Sequence, residues 1–345
     1  MTPKNKTVIL LGATGRLGAY LTLHLKAIGY DVLAVGHRPD DNGFFADFGI
    51  PYRPLSVEEP GAFDTLPREG VYAVLNFAGA LPASMRGFDG SRYVSSIVQG
   101  TLNVLEYCRK TGVDRIVFPQ SLFDISHLFG SATPIPADAP RQAPLTGDHA
   151  VYVIAKNAAV DLIEHYYATY GLKRFVFRLS RIYHYHPDPF TYTDGERMLI
   201  SDRYLIYRAM RGLDLELWGD PDRVLETICI RDFQQIIEKA LEAPVDGGLY
   251  NVGSGGSTLR ERIEGIAEVF SPEGRRAAIV PRPDKPSGTQ FLLDISRTMD
   301  ELGYRPQCTW KDYLLDFKAE MEQQRFRKLW GTEEEYLKNG PAIRF

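Results

Sequence analysis

Apolar positions along the chain follow two periods. Thr7–Leu11 is an apolar run; after a glycine-rich turn Leu17, Tyr20, Leu21, Leu25 and Ile28 fall at helical spacing, and Asp31–Val35 is apolar again. Short apolar runs read as buried strands, and i, i+3, i+4 spacing reads as a helix packed on them. The alternation continues. Val71–Ala80 predicts a strand ending in small residues, Tyr93–Lys110 a long helix, Arg115–Phe118 a buried strand and Tyr152–Tyr170 a second long helix. Strands alternating with helices predict an α/β fold built on a doubly wound parallel sheet, with ligands beyond the carboxyl ends of its strands. Farther on, Tyr204–Met210, Phe233–Leu241, Thr258–Phe270 and Leu293–Tyr304 are predicted helices. The tail, with Phe317, Met321 and Trp330 set among Lys318, Glu320, Glu322, Arg325 and Lys328, reads as an amphipathic helical extension that packs on the domain or on a partner subunit.

The turn between the first strand and helix is Gly12-Ala13-Thr14-Gly15-Arg16-Leu17-Gly18. A helix start presents unpaired N–H groups and a positive dipole end, so a diphosphate sits there when no side chain intervenes. Three spaced glycines serve the tight turn, the close approach of phosphate and the close packing of helix on strand. With a second strand completing the β-α-β unit, the motif predicts a Rossmann-type dinucleotide site at Gly12, Thr14, Gly15, Arg16, Leu17 and Gly18. After the second strand stand Gly36, His37 and Arg38, where an acidic residue would select NAD by its ribose hydroxyls. The basic His37 and Arg38, with Arg16 in the loop, point to NADP, with NAD as the alternative. Phe77, Ala78 and Gly79, at the end of the Val71–Ala80 strand, leave room for a cofactor ring or ribose.

Composition narrows the function classes. The 345 residues carry a net charge of −4, which gives no sequence-independent attraction to nucleic acid or anionic membrane. The three cysteines, Cys108, Cys229 and Cys308, are widely separated and read as buried hydrophobes of a reducing compartment. The polar start Met1–Lys6 carries no signal-peptide core and no apolar run reaches membrane-spanning length, so a soluble cytoplasmic protein is expected. His184 and His186 lack a third ligand at metal-site spacing, and no metal is expected.

Two features fall where chemistry belongs. Ser121 lies just past the Arg115–Phe118 strand, and Tyr152 and Lys156 stand four apart on one helix face. An ammonium near a phenol favours phenolate, which lets tyrosine give and take a proton near neutral pH.

Together these residues resemble the extended short-chain dehydrogenases/reductases, the NAD(P)-dependent epimerase/dehydratase family that acts mostly on nucleotide sugars. The resemblance covers roughly residues 7–320 and includes the glycine loop, Asn76–Ala80, Gly100–Glu106, Ser121, Tyr152-x-x-x-Lys156, Tyr170–Leu179, Gly248–Ser254, Leu293–Arg297 and Leu302–Pro306. It implies a cofactor domain over 1–180, a smaller substrate-binding lobe over 181–320 interleaved with it, and an extension over 321–345 outside the family core. Tyr152 would be the acid/base at the substrate oxygen while the nicotinamide exchanges a hydride with the same carbon. Lys156 would bind the nicotinamide ribose and lower the Tyr152 pKa, and Ser121 would polarise the carbonyl. Leu217–Asp220 and Ile228–Asp232 resemble a short strand pair of the family. The two long helices imply a homodimer.

Departures from the family pattern bear on the substrate. Arg181 stands where an asparagine usually meets the diphosphate, and Leu225 where an arginine is expected, with Arg223 two residues earlier. Arg181, His186, Arg223 and Arg282 are therefore the candidate substrate-binding residues. Ser121-Leu122-Phe123 lacks the Asp-Glu pair of 4,6-dehydratases and the cysteine of fucose-synthase-type epimerase-reductases. What remains is plain hydride chemistry: a nucleotide-sugar 4-ketoreductase using NADP, or a 4-epimerase holding NAD. Reduction of a non-nucleotide carbonyl and a non-catalytic NADP-binding module are further alternatives.

Overall fold

The computed structural model describes residues 6–82, 85–86, 88–147, 149–193 and 195–343. The residues before Lys6 and the last two of the C-terminal extension lie outside them. The first apolar runs form β1 (Thr7–Leu11) and β2 (Asp31–Gly36), joined by α1 (Arg16–Ala27). They are followed by β3 (Tyr52–Pro54), β4 (Val71–Asn76), α2 (Gly90–Tyr93), α3 (Gly100–Thr111), β5 (Arg115–Ser121), α4 (Ala150–Tyr170) and β6 (Lys173–Leu179). The second half contributes β7 (Arg181–Tyr183), β8 (Phe190–Thr193), β9 (Glu196–Leu199), α5 (Ser201–Met210), β10 (Leu215–Trp218), β11 (Val224–Leu225), β12 (Thr227–Cys229), α6 (Ile230–Glu242) and β13 (Gly247–Val252). The chain ends with β14 (Ser257–Thr258), α7 (Leu259–Phe270), β15 (Ile279–Arg282), α8 (Ser296–Leu302), α9 (Trp310–Gln323), α10 (Arg327–Trp330) and α11 (Glu333–Lys338).

Seven strands form one parallel sheet in the order β13-β6-β5-β4-β1-β2-β3. Both faces are covered, which is why its strands are apolar throughout rather than alternating. One face buries Tyr20, Leu21, Phe175, Phe233 and Ile237 under α1 and α6; the other buries Val104, Leu105, Val153 and Ile163 under α3 and α4. The chain turns back at β1, placing the glycine loop at the switch point between β1 and β4. Gly12 holds φ +83°, and a Cβ there would lie 2.6 Å from the Phe77 carbonyl oxygen, so only glycine lets loop and β4 meet.

Residues of the second half form a smaller lobe with its own core of Tyr183, Ile206, Leu217, Ile263, Phe270 and Leu314. β13 returns from it to the edge of the main sheet, so the two parts interleave.

Three expectations need correction. The helix over Tyr93–Lys110 is interrupted by a π-helical stretch at Val94–Gln99, a wider i→i+5 turn that the i, i+3, i+4 spacing does not announce. The helix over Leu293–Tyr304 begins only at Ser296, because Leu293 is buried in a bridge to Ile135. The two segments read as a strand pair do not pair: β10 runs parallel to β15, and β12 parallel to β7.

Candidate active site

A cavity of about 580 Å³ runs along the carboxyl ends of the central strands, a size usual for ligand sites. His37, Arg38 and Leu55–Glu58 line one end; the glycine loop crosses the middle; Pro119, Gln120, Tyr152 and Lys156 line the other. Gly12, Thr14, Gly15, Arg16, Leu17, Gly18, Phe77, Ala78 and Gly79 all border it. A dinucleotide fits on this evidence. The cradle is kept open where a Cβ would collide, and the N-terminus of α1 faces it without an acidic residue in its first turn. Leu55–Glu58 were not read from the sequence: they follow a strand of three residues, too short to show a period.

The catalytic candidates meet at the far end. Pairing of β5 with β6 sets Gln120 opposite Arg178 and Ser121 opposite Leu179. Gln120 accepts from the Ser121 backbone N–H at 2.8 Å and donates to Asn157 Oδ1 at 2.8 Å, tying the end of β5 to α4. Ser121 Oγ accepts from Phe123 N at 3.2 Å and hydrogen-bonds the Tyr152 phenol. Tyr152 is buried edge-on to Tyr93, ring centroids 5.7 Å apart. Lys156 is buried too, and its Nζ donates to the Pro119 carbonyl at 2.8 Å, 5.9 Å from the centre of the Tyr152 ring.

This geometry alters the electrostatics expected from Tyr-x-x-x-Lys. Burial, with Tyr93 adding to it, raises the Tyr152 phenol above its ordinary value, and the Ser121 hydrogen bond offsets only part. Burial lowers Lys156 from 10.5 to about 7. Between those values an unfolded lysine keeps its proton and the folded one does not, so this group makes stability rise with pH from about 7 to 10.5. Lys156→Met removes that contribution. Denaturant unfolding of both proteins at several pH values across the range checks it; equal slopes would show that Lys156 is not depressed.

The structure divides the substrate candidates. Arg181 and His186 line a second cavity of about 130 Å³ together with Arg16, Asp188, Asp202 and Arg203. Arg181 pairs with Asp202 at 3.1 Å. His186 accepts from the Asp188 N–H at 3.0 Å, and burial holds it well below its usual value, so it is a neutral group at neutral pH. Arg223 and Arg282 are not on that lining; they gather at the 282–290 loop. Arg282 is held by Glu216 and Asp284, while Arg223 Nε is buried with no partner.

Two further contacts bear on the site. Arg178, fully buried, grips both oxygens of Asp124 at 2.8 and 3.0 Å, and also reaches Ala137 O and Asn251 Oδ1. The Trp330 indole N–H donates to the Thr14 carbonyl at 2.9 Å. The partners are 54 and 316 residues apart in the chain, so no local signal announces either.

Among the described residues no helix is long and apolar enough to cross a membrane. The model of the NAD dependent epimerase/dehydratase family matches residues 8–253. A putative UDP-glucose 4-epimerase of Methanocaldococcus jannaschii is 22% identical over 308 residues, 88% of this chain and 95% of that protein. The crystal structure of a Thermotoga maritima UDP-glucose 4-epimerase with UDP-glucose superposes with a TM-score of 0.74 at 20% identity, covering 92% of this chain and 99% of that one. The Bordetella bronchiseptica enzyme WbmG in complex with NAD gives 0.71 at 21%, covering 95% and 98%. The family model spans well over half of the chain, so this protein belongs to the NAD dependent epimerase/dehydratase family and is an enzyme of the extended short-chain dehydrogenase/reductase type.

Proposed function

We propose that the protein is a nucleotide-sugar 4-epimerase that holds NAD and oxidises and re-reduces one carbon of its substrate. The observation that carries this reading is the state of the basic residues beside the adenosine end of the cavity. Arg38 Nη1 donates to the Leu329 carbonyl at 2.7 Å, and Arg16 turns to Asp188 at 3.8 Å. Glu58 lines the same end, where its carboxylate would repel a 2′-phosphate. The relative named as a UDP-glucose 4-epimerase and the neighbour solved with NAD support the same choice.

When bound, the nicotinamide ring would accept a hydride from the sugar carbon and return it. Tyr152 takes the hydroxyl proton as the hydride leaves and gives it back as it returns, which requires its phenol to come down from the raised value of the free protein. Lys156 supplies that lowering in its protonated form, which burial leaves only partly populated near pH 7, and Ser121 holds the oxygen through both half-reactions. For the substrate diphosphate this reading draws on Arg223, whose Nε is buried with no partner, or on Arg181 once it leaves Asp202. The residues that follow Ser121 do not suit dehydration. Asp124, the first carboxylate after Ser121, has no exposed surface and both its oxygens are held by Arg178.

The second reading, a 4-ketoreductase using NADPH, rests on His37, which is exposed on the cavity rim, and on Arg38, which still lines it. Mass spectrometry of what the purified protein releases on denaturation separates the two. Retained NAD is the expected result. Protein that comes free of dinucleotide and then prefers NADPH in a fluorescence titration would replace the epimerase with the reductase.

A further inference from the structure

After α9 the chain leaves the lobe and runs back across the cofactor side. It does so at Gln324, which holds φ +48°; Asn42 holds φ +55°, and among the described residues these are the non-glycine positions with positive φ. Such backbone costs free energy and persists where the surroundings demand it. One ends α9 and the other contacts the segment that follows it. Gln324 starts the segment, and Asn42, in the loop after β2, donates from Nδ2 to the Lys328 carbonyl at 2.9 Å.

The segment 324–340 ties the cofactor loops to the lobe. On the cofactor side Trp330, buried and stacked on Phe326 at 4.4 Å, holds the Thr14 carbonyl, and the Leu329 carbonyl holds Arg38. On the lobe side the Glu333 carboxylate accepts from Tyr185 at 3.1 Å and from Tyr207 and Arg203, while Arg197 donates to the Asn339 carbonyl at 3.3 Å. Thr14 and Arg38 thus face the dinucleotide cavity with one group and the strap with another.

We infer that this C-terminal strap is a positioning element for dinucleotide binding: Trp330 fixes the glycine loop, and Leu329 competes with a 2′-phosphate for Arg38. The inference rests on the dinucleotide site proposed above but not on which dinucleotide is preferred. Docking of the strap and binding at the loop stabilise the same arrangement of Thr14, so each strengthens the other. A 2′-phosphate draws the Arg38 guanidinium away from Leu329, so NADPH tightens the strap less than NADH does.

Hydrogen exchange of the strap amides in the full-length protein freed of any bound dinucleotide, alone and saturated with NADH or NADPH, tests this. NADH is expected to slow exchange over 326–339, and NADPH to slow it less. Trp330→Phe, which keeps a ring and loses the N–H, is expected to bind NADH about 3–10-fold more weakly, the range of one neutral hydrogen bond. Wild-type protein that binds neither dinucleotide would overturn the site itself. NADH binding that leaves strap exchange unchanged, or equal protection by both dinucleotides, would overturn the inference while leaving the site standing.

Discussion

Tyr152→Phe is expected to lower turnover of a UDP-sugar by about 10²–10⁴-fold, the usual worth of a positioned proton donor. The substitution removes one oxygen. The ring stays against Tyr93 in the same buried place, so folding and NADH binding should be kept. The loss comes from the acid/base step alone: without the phenol no group at that position takes the proton as the hydride leaves, so a protonated carbonyl must form in the oxidative half-reaction and an unneutralised alkoxide in the reductive one. Ser121→Ala should cost less, because Ser121 also accepts from the Phe123 N–H and its loss leaves Tyr152 in place. Steady-state turnover with UDP-glucose or UDP-galactose, beside an NADH titration, separates chemistry from binding. Near wild-type turnover in folded Tyr152→Phe would remove Tyr152 from the mechanism.

The parts of the site that were legible in the sequence are those whose signal is local. The β1-α1-β2 unit announces itself because a buried parallel strand is apolar on both faces and the glycines sit at fixed offsets within seven residues. Tyr152 and Lys156 share a helix face for the same reason of short range. What stayed hidden depends on partners far along the chain. The hand of Arg38 is an example: its position beside the adenosine end is readable, but its engagement by Leu329, 291 residues away, is a property of the packed tail. Lys156 shows the second limit. Its spacing predicts proximity to the phenol, whereas burial and the Pro119 carbonyl decide its charge, and both depend on the sheet edge against which α4 packs. Strand pairing in the lobe failed as an expectation for a third reason. Strands of two to four residues carry too little pattern to choose partners, and β7 and β15 were settled by tertiary contact.

The largest expected effect on stability lies just behind the site. Asp124 follows Ser121 by three residues, and its carboxylate is locked bidentate to Arg178 on β6 with neither side chain exposed. Burial pushes the Asp124 carboxyl up, and the Arg178 guanidinium pulls it back. Two opposed costs are therefore balanced in place, and the pair is not a large net source of stability. Removing one member unbalances it. Asp124→Asn keeps the shape but leaves a buried guanidinium with neutral acceptors alone, the new amide oxygen, Ala137 O and Asn251 Oδ1, and should cost about 3–5 kcal/mol in denaturant unfolding. Arg178→Met should cost a similar amount by stranding the carboxylate. The double variant Asp124→Asn/Arg178→Met should lose clearly less than the sum of the two, because neither charge is then left alone. Additive losses would mean that the pair contributes through its other hydrogen bonds, such as those of Asn251, and not through mutual neutralisation. Because Asp124 O also accepts from the Gln142 N–H, the segment leaving Ser121 loosens when the pair is broken, and variants that remain folded should show reduced turnover as well.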